Sequence, residues 1–374
     1  MNKPLIDKFV QESSGLTKSL IESLKDGVVL FDNKKEVILI NDSMMHITGL
    51  PQEGFLISEL TSLFKSKVNI QLQLDHALNN GKETFINDVN ILKYFYEMRI
   101  FPVKDVAEKI IGGAIVFHDI TYLKEIDQMK TEFISIASHQ LRTPLTSIRW
   151  YTQMLYDGDA GKMTKKQTEF INEVHQGSIK MIELINSLLN VSRLEAGRIK
   201  IEPKPTDLIQ VIKKAMQETK MIAAEKGKKC QIELNIKTKV PDQVMVDPIA
   251  FSQIIENFLS NAYRYTPMKN GKISVLFEEY DHSHFQISVT DNGIGIPLEM
   301  QNKLFVKFAR AENAKKMVAE GSGLGLYIVK LLIESFHGKV WFKSTENQGT
   351  TFYFTLPKQG MSPRKGDRNL EKNY

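Results

Sequence analysis

One cysteine, Cys230, is all that the 374 residues contain. A disulfide within the chain, a cysteine zinc cluster and a CxxC redox pair are therefore excluded, and a reducing compartment suits the chain. No apolar run approaches the roughly 18 residues a membrane helix needs, and the first 20 residues lack the core of a secretory leader. The expected location is cytoplasmic with no membrane segment in this chain, unless an anchor belongs to a longer protein. Charge of one sign is scarce as well: 49 basic against 44 acidic residues leave +5. Part of that excess lies at Arg364, Lys365, Arg368 and Lys372, which suits a solvated end. A nucleic-acid partner would need a concentrated basic stripe, so none is expected. Internal repeats and long low-complexity tracts are missing too. What is present is ordinary globular composition, 42% hydrophobic and 25% charged, over a length that calls for two or three domains.

The pattern along the chain gives a multidomain α+β protein with four parts. Residues 1–121 begin with helical spacing at Leu5, Phe9, Leu16, Leu20 and Leu24. Strand-like runs at residues 27–32 and 37–41 flank a polar turn and read as a hairpin. Further strands at 97–102 and 112–118 complete a small α+β module. Residues 122–198 change to helical periodicity: Phe133, Ala137, Leu141, Pro144, Ile148, Tyr151 and Leu155 form one apolar stripe. After a polar break at 157–162, Thr164 caps a second helix with Ile171, Val174, Ile182, Ile185 and Leu189 on its stripe, and Gly197 ends it. Such an antiparallel hairpin cannot cover its own stripe, so a homodimeric four-helix bundle is expected. Residues 199–357 alternate helix and strand as an α/β two-layer sandwich, with Asp247-Pro248 starting a helix. Residues 358–374 read as a polar, basic, disordered tail.

Three constellations carry chemistry. His139 lies two residues from both Ala137 and Leu141, about 200° around the helix from each, so the stripe points away from it. Arg142 stands beside it and Thr143 shares its face. Pro144 removes a helical hydrogen bond to the carbonyl of Gln140 and disturbs the helix one turn on. A surface histidine is ordinary by itself. Next, residues 291–297 (DNGIGIP) follow a strand, and 321–326 (GSGLGL) open a helix. Glycines before a helix N-terminus let backbone N–H groups approach a polyphosphate. The spacing is not that of a P-loop, and a Rossmann reading lacks the strand before Gly321. Finally, Asn257, Asn261 and Arg264 share one face of an apolar helix. Asparagine oxygen suits Mg²⁺ alongside triphosphate oxygens, although a capping or solvated face is the alternative.

Together these segments resemble the sensor histidine kinases. Residues 138–145 (SHQLRTPL) look like their phospho-acceptor box, 257–265 like the asparagine box, and 291–297 like the first glycine box. Residues 305–308 (FVKF) look like the phenylalanine box, 321–326 like the second glycine box and 349–352 like a closing one. The likeness runs from about Tyr122 to Pro357 in the family's order. It implies a dimerisation and phosphotransfer hairpin followed by a Bergerat-type ATP-binding domain, with ATP and Mg²⁺ as cofactors and a response regulator receiver domain as partner. His139 would be the phosphorylated nucleophile, Asn261 the magnesium ligand, and Asp291 the acceptor for the adenine amino group. Gly293 and Gly295 would let the chain pass close to nucleotide, Arg264 would touch phosphate and Tyr265 would pack nearby. Gly321, Gly323 and Gly325 would cradle phosphates, and residues 309–320 would form a mobile lid. Asn257, Phe308, Leu324, Leu326 and Thr350 complete the implied nucleotide set. Residues 1–121 also resemble a PAS sensor domain, with Asp119-Ile-Thr121 at its exit.

Two positions depart from the family pattern. Gln140 stands where an acidic residue usually follows the histidine and cannot take a proton, though a neutral imidazole has its own nucleophilic lone pair. Gln140 and Thr143 could still orient a water for a phosphatase step. Arg264 replaces the usual lysine and keeps its charge. An ATPase of the same fold would place a glutamate one turn before the asparagine; Asn257 occupies that position and Glu256 faces elsewhere. Intact Asn261, Asp291 and glycine loops argue against an inactive binding module.

Overall fold

A computed structural model of the chain describes residues 15, 18–49, 57, 60, 70–91, 93–318, 321–364, 366 and 369–370. Most of the helix expected over residues 5–24 lies outside them. The chain divides into two compact units, Met1–Met129 and Lys130–Tyr374.

In the first unit, β1 (Gly27–Asp32) and β2 (Val37–Ile40) form the expected hairpin. Helices α1 (Asp42–Thr48) and α2 (Ile70–Asn80) follow, then β3 (Thr84–Ile91), β4 (Tyr94–Lys104) and β5 (Ile110–Asp119). The sheet is antiparallel, in the order β2-β1-β5-β4-β3. Phe31, Met44, Leu74, Met98 and Phe117 fill its core. Buried Asn41 knits the hairpin to what precedes it. Its Oδ1 accepts from the N–H groups of Val28 at 2.9 Å and Met44 at 3.0 Å, and its Nδ2 donates to the carbonyls of Ile21 and Asp26. At the exit, Asp119 accepts from the Thr121 N–H at 2.8 Å, and the Thr121 hydroxyl accepts from the Phe95 N–H at 2.9 Å.

Helix α3 (Thr121–Asp157) runs unbroken from the first unit into the second and pairs with α4 (Lys165–Glu195). Thr164 caps α4 in a reciprocal box with Gln167, and Gly197 follows its end at φ 68°. Contacts within the hairpin come from Leu145, Ile185 and Leu189 with Ile134 and Ile182. As expected of a hairpin that cannot cover its own stripe, much of it is uncovered in the single chain: Phe133, Leu141, Ile148, Tyr151 and Val174 are all exposed. Residues three and four apart generate two neighbouring apolar faces on these helices, and only one meets the other helix.

Beyond the hairpin, β6 (Lys204–Thr206) pairs with β8 (Val244–Val246). Helices α5 (Leu208–Glu225), α6 (Pro248–Tyr265) and α9 (Gly325–Ser335) cover one face of a sheet ordered β11-β12-β10-β9-β7. Its strands are β7 (Cys230–Ile236), β9 (Gly271–Glu279), β10 (His284–Asp291), β11 (Val340–Thr345) and β12 (Gly349–Pro357), and only β7 and β9 run parallel. Short helices α7 (Leu298–Gln301) and α8 (Glu312–Met317) lie between β10 and α9. Phe258 of α6 stacks on Phe352 with centroids 5.1 Å apart. Val191 and Leu194, from the last turns of α4, belong to the same core.

The terminal tail is a correction. Its described residues are not disordered: Met361 and Leu370 are buried, and Arg364 forms an antiparallel bridge with Ile201. Two apolar side chains nine residues apart leave no periodic signal in a polar segment, yet each finds a place in the core. Among the described residues no helix is long and apolar enough to cross a membrane.

Asp247 explains why α6 begins where it does. Its carboxylate accepts from the N–H groups of Ile249 at 2.9 Å, Ala250 at 3.1 Å and, across the fold, Glu202 at 2.9 Å. Asp247→Ala should cost about 2 kcal/mol of stability, and Asp247→Asn clearly less. Urea midpoints of the two variants check this; equal midpoints would remove the cap from the account.

Candidate functional site

The C-terminal half of α6, the loop after β10 and the start of α9 meet at one place. Asn257 is half-buried and donates Nδ2 to the Gln253 carbonyl at 2.8 Å. Its Oδ1 lies against Gly325, where a Cβ would stand 2.5 Å away. Asn261, one turn on, is half-buried, Arg264 is exposed and Tyr265 half-buried. The Ile294 N–H donates to the Tyr265 carbonyl at 3.2 Å, and a Cβ on Gly293 would reach 2.4 Å from that oxygen. Close backbone approach thus demands glycine at 293. Gly295 accepts from Asn313 Nδ2 of α8 at 3.1 Å, which ties the expected lid to the first glycine loop. Residues 319–320 of that lid lie outside the described set.

Phe308 sits at φ 61°, a costly region for a bulky residue, with its N–H bonded to the Gly323 carbonyl at 3.0 Å and its side chain exposed. Gly321 is exposed and lies near Arg310. Leu324 is fully buried in the core, so its side chain does not face a ligand, and what it offers the loop is backbone. Leu326 packs against the same core from the rim. Thr350 is buried opposite Asp291 in the β10–β12 ladder, its hydroxyl 2.9 Å from Ser344 Oγ.

Asp291 is the electrostatic centre of this cleft. It is 7% exposed. Burial pushes its carboxyl up to about 6, while N–H bonds from Gly293, at 2.8 Å to Oδ1, and from Thr350 oppose the rise. A buried carboxyl with room for one more donor suits an exocyclic amino group. Glycine N–H groups ahead of α9 suit phosphate oxygens. Asn261 offers a hard amide oxygen; among the described residues no cluster of three acidic, histidine or cysteine side chains could hold a metal without further ligands.

His139 and Gln140 are exposed on α3. The Thr143 hydroxyl bonds back to the His139 carbonyl at 3.4 Å, and Thr146 and Ser147 bond to the carbonyls of Arg142 and Thr143. Arg142 turns away from His139 and donates to Asn186 of α4 at 2.8 Å. Asn186 is about 14 Å along α4 from Glu195. At Glu195 the C-terminal lobe docks: the Glu195 carboxylate accepts from Lys307 Nζ at 2.8 Å and from the Tyr327 hydroxyl. Burial raises Glu195, but these two donors outweigh it and hold the carboxyl below its ordinary value. Burial and that bond push Tyr327 up to about 12. Higher on α4, burial raises Glu183, and the nearby Arg264 charge offsets part of the rise. Asn313, Glu183, Glu195 and Tyr327 were missed in the sequence because nothing local marks a partner more than a hundred residues away, or across two elements.

Known proteins carry the same parts. Residues 246–360 match the family described as histidine kinase-, DNA gyrase B- and HSP90-like ATPase, 129–197 the His Kinase A (phospho-acceptor) domain, and 21–125 the PAS fold. The sensor protein kinase WalK of Staphylococcus saprophyticus is 27% identical over 366 residues, covering 94% of this chain and 58% of the relative. Its counterpart in Staphylococcus aureus is 26% identical over 366 residues, covering 94% of this chain and 85% of the relative. The chain thus spans less than two thirds of the first of these relatives. Among solved structures, full-length ShkA in complex with AMPPNP shares the fold at a TM-score of 0.52 and 24% identity, over 62% of this chain and 46% of its own length.

Asp291 makes a pH prediction. Its folded value, about 6, lies above the ordinary 3.8. The folded state therefore holds the proton more tightly, an advantage complete below pH 4 and lost as pH rises through about 6. The interval is worth about 3 kcal/mol. Urea midpoints from pH 4 to 8 should fall for the native chain relative to Asp291→Asn. Parallel curves would show that Asp291 is ionised throughout.

Proposed function

The chain belongs to the PAS-containing sensor histidine kinases of two-component systems, and from that premise we propose that it phosphorylates its own His139 from ATP and passes the group to an aspartate of a response regulator. The observation that carries the reading is the pairing, in one unit, of an exposed His139 with a cleft assembled from Asn261, Asp291 and the glycine loops.

Asp291 would accept the adenine amino group, and backbone N–H groups around Gly321, Gly323 and Gly325 would hold the phosphates. Arg264 would add charge and Tyr265 packing. Asn261 would supply an oxygen to Mg²⁺, which neutralises phosphate charge when bound. In the transfer, a lone pair of the His139 ring attacks the γ-phosphorus and the bond to the β–γ bridging oxygen breaks. ADP leaves with that electron pair. The ring proton passes to water, because Gln140 has no basic group to take it. Catalysis is positioning and charge neutralisation, so the ATP-binding domain has to move until the γ-phosphate and ring nitrogen are in line. The uncovered stripe of Phe133, Leu141, Ile148 and Tyr151 supports a homodimer through the hairpin. ATP as donor supports a cytoplasmic setting.

Incubation with γ-labelled ATP should give acid-labile, alkali-stable label on the native chain and none on His139→Ala. Asn261→Asp should lower the labelling rate by about a hundredfold or more. Phosphate release without label would support the ATPase reading, and neither product an inactive module. Because α3 is continuous, the sensor module should act through it. One residue inserted between 124 and 130 rotates the downstream helix by about 100°. The labelling rate should change, and an unaltered rate would sever this route from sensor to kinase.

A further inference from the structure

We propose that residues 359–364, with Gly366 and Leu370, form a strap that clamps the connection between hairpin and ATP-binding domain, and that it must release before the domain can carry nucleotide to His139; the second half rests on the phosphotransfer reading above. The connection is residues 197–203, between α4 and β6, where any swing of the domain has to be absorbed.

The strap starts from β12, where the Lys358 N–H donates to the Ser283 carbonyl at 2.8 Å. It then lies flat on β8. The Met361 N–H donates to the Met245 carbonyl at 2.7 Å, and the Met361 sulfur accepts from the Asp247 N–H at 3.4 Å. Further on it reaches the connection itself. Ile201 and Arg364 exchange both backbone bonds, at 3.1 and 3.2 Å. The Arg364 guanidinium comes up to Gly197, just past the end of α4. At Gly366 the two backbones touch: a Cβ would stand 2.4 Å from the Arg198 carbonyl oxygen and 2.5 Å from the Lys200 nitrogen. Leu370, 8% exposed, belongs to the same core as Val191, Leu194, Ile199 and Ile201.

These contacts conflict with a free hinge. Hinges work through backbone dihedrals that can change. Here the Ile201 N–H and carbonyl are committed to the strap, Ile199 and Ile201 are buried, and the Glu202 N–H is held by Asp247. Rotation within 197–203 would break the Ile201–Arg364 pair and expose Leu370. The strapped and swung states therefore exclude one another, and the tail sets how often the domain is released.

The Ile201–Arg364 pair supplies its own test. Directly opposed, hydrogen-bonded antiparallel residues have Cα atoms about 5.5 Å apart, within the range a disulfide spans. In the full chain with Cys230→Ser, Ile201→Cys and Arg364→Cys should form a bond that locks the strap. We expect His139 labelling to slow by about tenfold or more on oxidation and to recover with dithiothreitol, with equal affinity for a fluorescent ATP analogue in both forms. The reduced protein is its own folding control. A chain ending at Lys358 should label faster than the full chain. A second readout needs no catalysis: trypsin cleavage after Arg198 and Lys200 should be about tenfold faster in the truncated chain, and slowest in the oxidised one. Equal labelling of oxidised and reduced forms, or cleavage indifferent to the strap, would overturn the proposal. If the native chain takes no label, the phosphotransfer reading fails, and the cleavage contrast alone decides whether the strap clamps the connection.

Discussion

The candidate cleft depends on how the last turn of α6 disposes of its carbonyl groups. A helix end leaves oxygens that it cannot satisfy itself. Here the Tyr263 carbonyl takes the ammonium of Lys228, whose nitrogen lies 4.6 Å from the centre of the Tyr263 ring, and the Tyr265 carbonyl takes the Ile294 N–H. Lys228 is itself buried, and desolvation lowers its basicity. These two bonds tie α6 to the loop between α5 and β7 and to the loop after Asp291. Asn257, Asn261, Arg264 and Tyr265 are thereby placed beside a carboxyl from another element. The two bonds reinforce the core packing that sets the polar face of α6 against the glycine loops.

The same economy joins lobe to hairpin. Val191 and Leu194 belong as much to the sheet's helical layer as to α4, and Glu195 takes two donors from the lobe. Lys307 stands two residues before Ala309, where the expected lid begins. The segment that would sense nucleotide is therefore one short step from the hairpin. Arg264 and Glu183 form a second point of electrostatic contact on α4. The lobe rests along one helix at more than one level, which gives a resting state with definite geometry.

What could be read from the sequence was whatever leaves a local mark. Asp247-Pro248, Thr164 and Gly197 announced helix ends through capping chemistry, and the structure puts those ends there. Strands β1 and β2 were visible as two runs flanking a polar turn. β3 was not, because its register slips between Ile86 and Val89 around Asp88 at φ 61°, which breaks the period of two. The cleft was legible as glycine and asparagine segments, but Asn313, Glu195 and Tyr327 were not, since their roles exist only in three dimensions. The tail misled most, because polar composition says nothing about two buried side chains. The apolar faces of the hairpin were legible as a total and not as a partition: sequence period alone does not say which face meets the neighbouring helix.

Strand order has a consequence for biosynthesis. Among the described residues β12 is the last strand of the sheet in chain order, yet it lies between β11 and β10 and alone joins β11 to the other strands. Its residue Thr350 also stands opposite Asp291. During synthesis the sheet therefore stays open, and Asp291 lacks its Thr350 neighbour, until β12 has emerged from the ribosome. A chain cut short before β12 would lack both the place of β11 in the sheet and one wall of the proposed nucleotide site.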